Sequence, residues 1–341
     1  MSFEKLEKLP SPNELRDMVP LSKNLIDLKE NRDKSIKDIF TGVSDKFILV
    51  IGPCSAHNIG AVCEYVSRLS KLQEKVFEKL ILIPRIYTNK PRTTGEGYKG
   101  VAHQADPLGE PNMVEGLIAM RKMHVKAMEV SGLSAADEML YPSNYPYLED
   151  ILSYVAVGAR SVENQEHRLT ISGLDIPSGM KNPTSGNIDI MLNSVCAAQI
   201  PHDFIYNGYR VKTSGNPLAH CILRGSVDQY GKNKPNYHYE DLHELVEVYE
   251  KQNFKNPAIL VDTNHANSNK VYKEQPRIAM EVIRSKKNGS INSFIKGLMI
   301  ESYLEEGNQK PGEGVFGKSI TDPCLNWKDS ENLVLEIAEH L

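Results

Sequence analysis

From Lys46 onward, short apolar runs rich in Val, Ile and Leu alternate with segments whose apolar residues recur at three- and four-residue spacing. The runs are KFILVIGPCS (46–55), KLILIPRIY (79–87), SAADEML (134–140), VGARSVE (157–163), IPSGMKN (176–182), CILRGS (221–226), PAILVDTNH (257–265) and IKGLMIESYL (295–304). Between them, Val62, Tyr65, Val66, Leu69 and Leu72, or Leu242, Leu245, Val246 and Tyr249, fall on one face of a helix. A last helical stretch, Glu331 to Leu341, follows the eighth run. Apolar strands alternating with amphipathic helices are buried on both faces, as in a parallel sheet. The pattern predicts an α/β fold, a closed (β/α)8 barrel over residues 46–341. A doubly wound open sheet is the competing architecture, and no GxGxxG follows the first run to support it.

Two segments fall outside the repeat. Residues 1–45 form an N-terminal extension, in which PSPNEL predicts a capped helix start and KSIKDIFTG a helix ending at Gly42. HDFIYNGYRVKTSGN (202–216) predicts a β-hairpin turning at Asn207-Gly208, inserted before the sixth strand. Both are expected to serve assembly or regulation rather than chemistry.

Composition narrows the function. A chain of 341 residues, 40% apolar and 25% charged, can bury a large core, and its net charge of -4 argues against a general nucleic-acid binder. Five cysteines, an odd number without a CxxC pair, read as reduced thiols. The N-terminal segment lacks the apolar stretch of a signal peptide, and no run of 18 apolar residues occurs, so a cytoplasmic protein with no membrane partner is expected.

In a (β/α)8 barrel, the C-terminal ends of the strands surround one site. On that frame the runs deliver Cys54, Arg85, Glu138, Arg160, Lys181, Arg224, Asp262 with His265, and Glu301, while Lys90, Arg92 and Lys99 follow the second run. A single Arg or Lys after a strand is ordinarily a solvated loop residue. Polar groups ending all eight runs are not explained that way. The seven bases Arg85, Lys90, Arg92, Lys99, Arg160, Lys181 and Arg224 suggest two anionic substrates, or one carrying both phosphate and carboxylate. Cys54, His265, Glu301 and Asp322 combine a thiolate, an imidazole and carboxylates, a set suited to one divalent ion of Mn, Fe, Co or Zn. Taken singly, Cys54 reads as a small buried hydrophobe and His265 as a core or cap residue. The polar surroundings GPCSAHN, DTNHANSNK and ESYLEEGNQ favour chemistry over packing, whereas Cys63, Cys196 and Cys221 read as packing residues.

IGPCSAHN, PRIYTNKPRTT, GARSVENQEHR, GMKNPTSG, CILRGS, VDTNHANSNK, IESYLEEGNQ and GKSITDP resemble, in order, the motifs of 3-deoxy-D-arabino-heptulosonate 7-phosphate (DAHP) synthases of class Iα. KPRTT together with GKSITD is the specific part of the match. The resemblance implies a metal-dependent TIM barrel, a transferase that condenses phosphoenolpyruvate with erythrose 4-phosphate and releases inorganic phosphate, the first step of the shikimate pathway. It also implies a homodimer or homotetramer. By the family's motifs, Cys54, His265, Glu301 and Asp322 would hold the metal. Arg85, Arg160, Lys181 and Arg224 would bind phosphoenolpyruvate, with Lys90 between the substrates, Lys99 nearby, and Arg92 and Thr93 on the phosphate of the sugar. Lys90, Glu138 and His265 are the catalytic candidates: Lys90 could protonate the new alkoxide, and Glu138 could orient the attacking water. A metal would act as Lewis acid at the aldehyde oxygen. Two alternatives stay open: the same chemistry on another phosphorylated aldehyde, and a non-catalytic, effector-binding partner subunit.

The chain departs from the family pattern at GEGYKG, where VGWKG is usual, and at GARSVEN and KNPTSG, which keep Arg160 and Lys181. The hairpin is shorter than in the amino-acid-inhibited members, LYPSNYPYLED replaces the common MITPQYLAD, and Asp175 stands where Ser is frequent. A carboxylate there would repel an effector's carboxylate. Altered or absent inhibition by phenylalanine and tyrosine is therefore expected.

Overall fold

The computed structural model describes residues 2–92 and 94–341. Eight parallel strands, Phe47–Gly52, Leu80–Pro84, Ala136–Glu138, Tyr154–Val157, Ser178–Lys181, Ala219–Leu223, Ile259–Asp262 and Ile295–Glu301, follow one another around a barrel. The first strand pairs with both the second and the eighth. The ring closes between the second and third through the Arg85–Ala136 bridge, where the Ile86 N–H donates to the Ala136 carbonyl at 2.9 Å. The predicted α/β barrel is the observed fold.

Strand periodicity explains the two cores. Side chains alternate across a strand, so Ile48, Val50, Ile81, Ile83, Ala156, Ile222, Leu260 and Met299 form one cluster inside the barrel. Leu49, Ile51, Leu82, Val155, Leu223 and Leu298 face outward and pack with the helices in a second cluster. Helix Ile59–Val76 buries Val62, Tyr65, Val66, Leu69 and Leu72, and helix Tyr239–Lys251 buries Leu242, Leu245, Val246 and Tyr249, the faces read from their spacing. Helix Trp327–His340 closes the chain.

The N-terminal extension begins with helix Pro12–Met18, whose Ser11 and Glu14 form a capping box. Helix Lys23–Phe40 follows, and Gly42 takes the left-handed φ of 76° just after it. This second helix does something its amphipathic spacing did not disclose: Ile36, Ile39 and Phe40 belong to the cluster inside the barrel. Phe40 packs 4.6 Å from the His220 ring, and Tyr154 Oη lies 2.7 Å from His220 Nε2. Burial pushes His220 down to about 4, so this plug holds no charge at neutral pH.

Two boundaries differ from expectation. The fourth strand is Tyr154–Val157, so the run VGARSVE begins where the strand ends and Arg160 lies in the turn that follows. The fully buried residues of SYVAV, not the polar GARSVE, make the strand, because a barrel strand is covered on both faces. The sixth strand starts at Ala219, ahead of the run read from Cys221. The hairpin forms as predicted: Asp203–Tyr206 pairs antiparallel with Tyr209–Lys212, and Asn207 and Gly208 take φ of 50° and 81°, the two positive angles a tight primed turn requires. A smaller hairpin, Ser226–Val227 with Asn233–Lys234, was not foreseen. Among the described residues, no helix is long and apolar enough to cross a membrane.

Candidate active site

At the C-terminal mouth of the barrel, the first and eighth strands run side by side and carry Cys54, just past Gly52, next to Glu301, the last strand residue. The loop beyond the eighth strand returns Asp322 to the same place. Cys54 Sγ and one carboxylate oxygen each of Glu301 and Asp322 lie within 4.8 Å of one another. Lys90 Nζ donates to Cys54 Sγ and to Asp322 Oδ2, both at 2.7 Å. Glu301 Oε1 accepts from Arg85 Nη1 at 2.7 Å, and its Oε2 accepts from Asn264 Nδ2 at 2.6 Å.

His265 stands outside that group of three but beside it, with Nε2 4.0 Å from Glu301 Oε1. Its φ of 55° is a left-handed conformation that costs a non-glycine residue energy, and such strain is concentrated at functional sites. Its Nδ1 lies 2.9 Å from Asp262 Oδ2, and the same oxygen lies 3.0 Å from Lys181 Nζ. Asp262 therefore ties the imidazole to one of the basic residues of the pocket.

Charge explains why these groups tolerate burial. Burial pushes the Cys54 thiol up to about 12, and Glu301 adds to the rise while Lys90 opposes it. Such a thiol becomes a ligand only when a cation replaces its proton. Burial would raise Asp322, but Lys90 outweighs it and holds the carboxyl below its usual range. Burial likewise works against Glu301, and Arg85 leads the charges that lower it. For Asp262, burial is overcome by His265 and Lys181, leaving the carboxylate far below the ordinary range. The Lys90 ammonium thus bridges the thiol and Asp322, Arg85 pairs with Glu301, and the His265 imidazole stands beside them. This donor set fits a borderline divalent ion.

A cavity of about 400 Å³ opens above these residues. Six of the seven predicted bases, Arg85, Lys90, Arg92, Arg160, Lys181 and Arg224, line it together with Glu138, His265, Glu301 and Asp322. Lys99 is not among the residues that line it, and its backbone carbonyl accepts the Lys90 N–H at 2.9 Å. Thr93 lies outside the described residues. Arg92 Nε donates to the Tyr98 carbonyl at 2.8 Å. The Glu138 carboxylate needs the glycine opposite, because a Cβ on Gly158 would lie 2.2 Å from Glu138 Oε1. Asp137 locks the neighbouring backbone by accepting from the N–H groups of Thr88 at 3.0 Å and Glu138 at 2.7 Å. Asn264 and Lys270 also line the cavity and were not singled out from the sequence, although both stand in the DTNHANSNK motif.

The profile of the DAHP synthetase I family matches residues 22–335. The chain belongs to the DAHP synthetase I family. Among its relatives in this family, the Tyr-sensitive phospho-2-dehydro-3-deoxyheptonate aldolase of Escherichia coli K12 is 37% identical, covering 98% of this chain and 93% of that protein. The Phe-sensitive enzyme of the same strain is 36% identical over 99% of this chain and 96% of its own length. The solved structure of the phospho-2-dehydro-3-deoxyheptonate aldolase of Francisella tularensis SCHU S4 superposes with a TM-score of 0.91 at 30% identity, covering 99% of this chain and 98% of that one. Within this DAHP synthetase I fold, the shared Asp262 oxygen is the junction between His265 and the basic pocket. Asp262→Asn is predicted to weaken divalent-ion binding roughly 10- to 100-fold and to cost about 3 kcal/mol of stability, since Lys181 loses its buried counter-charge. Cobalt(II) titration and urea unfolding measure the two effects, and wild-type behaviour in both would make the carboxylate a bystander.

Proposed function

We propose that this chain condenses phosphoenolpyruvate with D-erythrose 4-phosphate to give DAHP and inorganic phosphate, the entry to the shikimate pathway and aromatic amino acids. One observation carries the reading: seven Lys and Arg side chains line a single cavity, and a thiol and two carboxylates converge at its edge. That many cations suit two phosphorylated substrates, and membership of the family supports the same pair.

Cys54, His265, Glu301 and Asp322 would hold the ion. When bound, it supplies Lewis-acid polarisation of an aldehyde oxygen. Arg85, Arg160, Lys181 and Arg224 bind the phosphate and carboxylate of phosphoenolpyruvate, and Arg92 the phosphate of the sugar. Burial lowers the pKa of Arg224, which accordingly gains from an anionic partner. C3 of phosphoenolpyruvate attacks the aldehyde carbon, water adds at C2, and phosphate leaves by C–O cleavage. The fixed cations stabilise the departing charge better than water would, because they need no reorganisation. Burial works against the Lys90 ammonium, but Cys54 and then Asp322 outweigh it and raise its pKa, so Lys90 carries a proton ready for the alkoxide. Glu138 orients the attacking water from its niche against Gly158.

The relatives named Tyr-sensitive and Phe-sensitive bring the hairpin into the reading. A cavity of about 760 Å³ lies between Phe204, Tyr206 and Val211 of the hairpin and Tyr145, Glu149, Leu174 and Asp175. Its lining carries two carboxylates, Glu149, which Arg16 pairs from outside the cavity, and Asp175, with one cation, Lys212. That balance disfavours the carboxylate of an amino acid.

Three outcomes are expected. Chelation should abolish phosphate release from phosphoenolpyruvate plus erythrose 4-phosphate, and one of Mn, Fe, Co or Zn should restore it; release that survives thorough chelation sinks the metal-dependent condensation. Glu138→Gln should lower kcat by about 100-fold, and unaltered turnover would remove this residue from the mechanism. Phenylalanine and tyrosine at low micromolar concentration should leave turnover unchanged, and clear inhibition by either would refute the reading of the hairpin cavity.

A further inference from the structure

A second basic cavity lies at the other end of the barrel. The starts of the first, second and eighth strands and the end of helix Gln275–Lys286 enclose about 910 Å³. Its walls carry Lys46, Lys79, Lys286, Lys287 and Lys296. Only Asp45 and Glu78 oppose them among the lining carboxylate side chains, in a chain whose net charge is -4. This positive charge is therefore a local concentration.

Two of the lysines are held in a way that surface lysines are not. Lys286 and Lys296 are both only partly exposed, and neither makes an ion pair within 4.0 Å among the described residues. The Lys286 ammonium donates instead to neutral acceptors, the carbonyl oxygen of Asn292 at 2.8 Å and the Asn292 side chain. Burial and, after it, the Lys296 charge lower Lys286 to about 8, with Asp45 only partly compensating. Lys296 is lowered by burial as well. Placing a basic residue in the last turn of a helix accounts for Lys286 alone, through the helix dipole.

Lys296 is there because of a break in register. Ile259 pairs with Ile295 and Leu260 with Gly297, so Lys296 is the extra residue of a β-bulge. Bulges bend a strand and re-aim a side chain. Here the bulge sits beside Gly297, where a Cβ would lie 2.5 Å from the Ile48 carbonyl, so the strand is pressed against its neighbour immediately after the displaced lysine. Two half-hidden cations lining one cavity are costly to keep charged alone, and an anion bound between them offsets that cost.

We propose that this cavity binds a small polyanion of the phosphate class, with Lys286 and Lys296 as its anchoring cations. Lysine suits such a ligand as a point charge, without the planar fork that favours a carboxylate. The site lies at the N-terminal mouth of the barrel, opposite the cations that face the substrates, and is independent of them.

Inorganic pyrophosphate is the probe. In the wild-type full chain, lysine acetylation read by mass spectrometry should slow at Lys286 and Lys296 by about tenfold in pyrophosphate relative to sodium chloride of equal ionic strength, while Lys71, exposed on helix Ile59–Val76 and outside this cavity, reacts as before. In calorimetry, K286M/K296M should lose this pyrophosphate site while keeping normal condensation turnover. Equal protection by chloride, showing only screening, would overturn the proposal, as would unchanged pyrophosphate binding by the folded double variant. Should that variant fail to fold, the wild-type acetylation pattern decides alone.

Discussion

A buried charge must meet its opposite, and the active end of this barrel is arranged around that demand. Arg85 with Glu301, and Lys181 with Asp262, are side chains no more than 4% exposed. Removing one partner of such a pair commonly costs about 3–5 kcal/mol, whereas apolar replacements of both would be about as stable. Stability is therefore a poor reason for a barrel mouth to keep these pairs. Their use is to hold cations and carboxylates at fixed positions in a place where water screens little. Preorganised charges of this kind stabilise a developing or departing anion without further movement.

The two ends of the cylinder solve different problems. Its C-terminal mouth collects charge and stays open as a cavity. Below it, the interior is filled by aliphatic residues and sealed by Phe40, Ile36 and Ile39 from the N-terminal extension. His220 is buried there as a neutral ring beside Tyr154, so no uncompensated charge weakens the seal. The extension is part of the barrel's core as well as a flanking segment. Basic residues near the lower mouth stay outside this seal, on the strand starts and the bulge at Lys296.

Local features of this chain were legible before the fold was known, because they depend on backbone preferences and side-chain period. Asn207-Gly208 accepts two positive φ angles, so its hairpin is determined by neighbours in sequence. Ser11 and Glu14 form their capping box for the same reason. Alternating apolar runs and helical faces led to the barrel, although SYVAV was passed over for the polar run that follows it. The residue types at the strand ends were legible too, but not their roles. Lys99 belongs to a basic cluster by sequence, and the fold adds a backbone role, its carbonyl holding the Lys90 N–H. Asp262 was visible as a strand-end acid, while its shared contact with His265 and Lys181 depends on a neighbouring strand.

What the amino-acid order determined by itself is the set of elements, their sequence around the barrel and the chemical character of the groups at their ends. Each of those follows from interactions within a few residues or from a period of two or three to four. Tertiary structure alone decided which distant groups meet: Cys54, Glu301 and Asp322 within a few ångströms, Phe40 inside the cylinder, Lys286 and Lys296 on the walls of one cavity. Those outcomes depend on strand register and barrel closure, which are global properties of packing. A one-residue shift in pairing reverses the face a side chain takes, and no local pattern reports it.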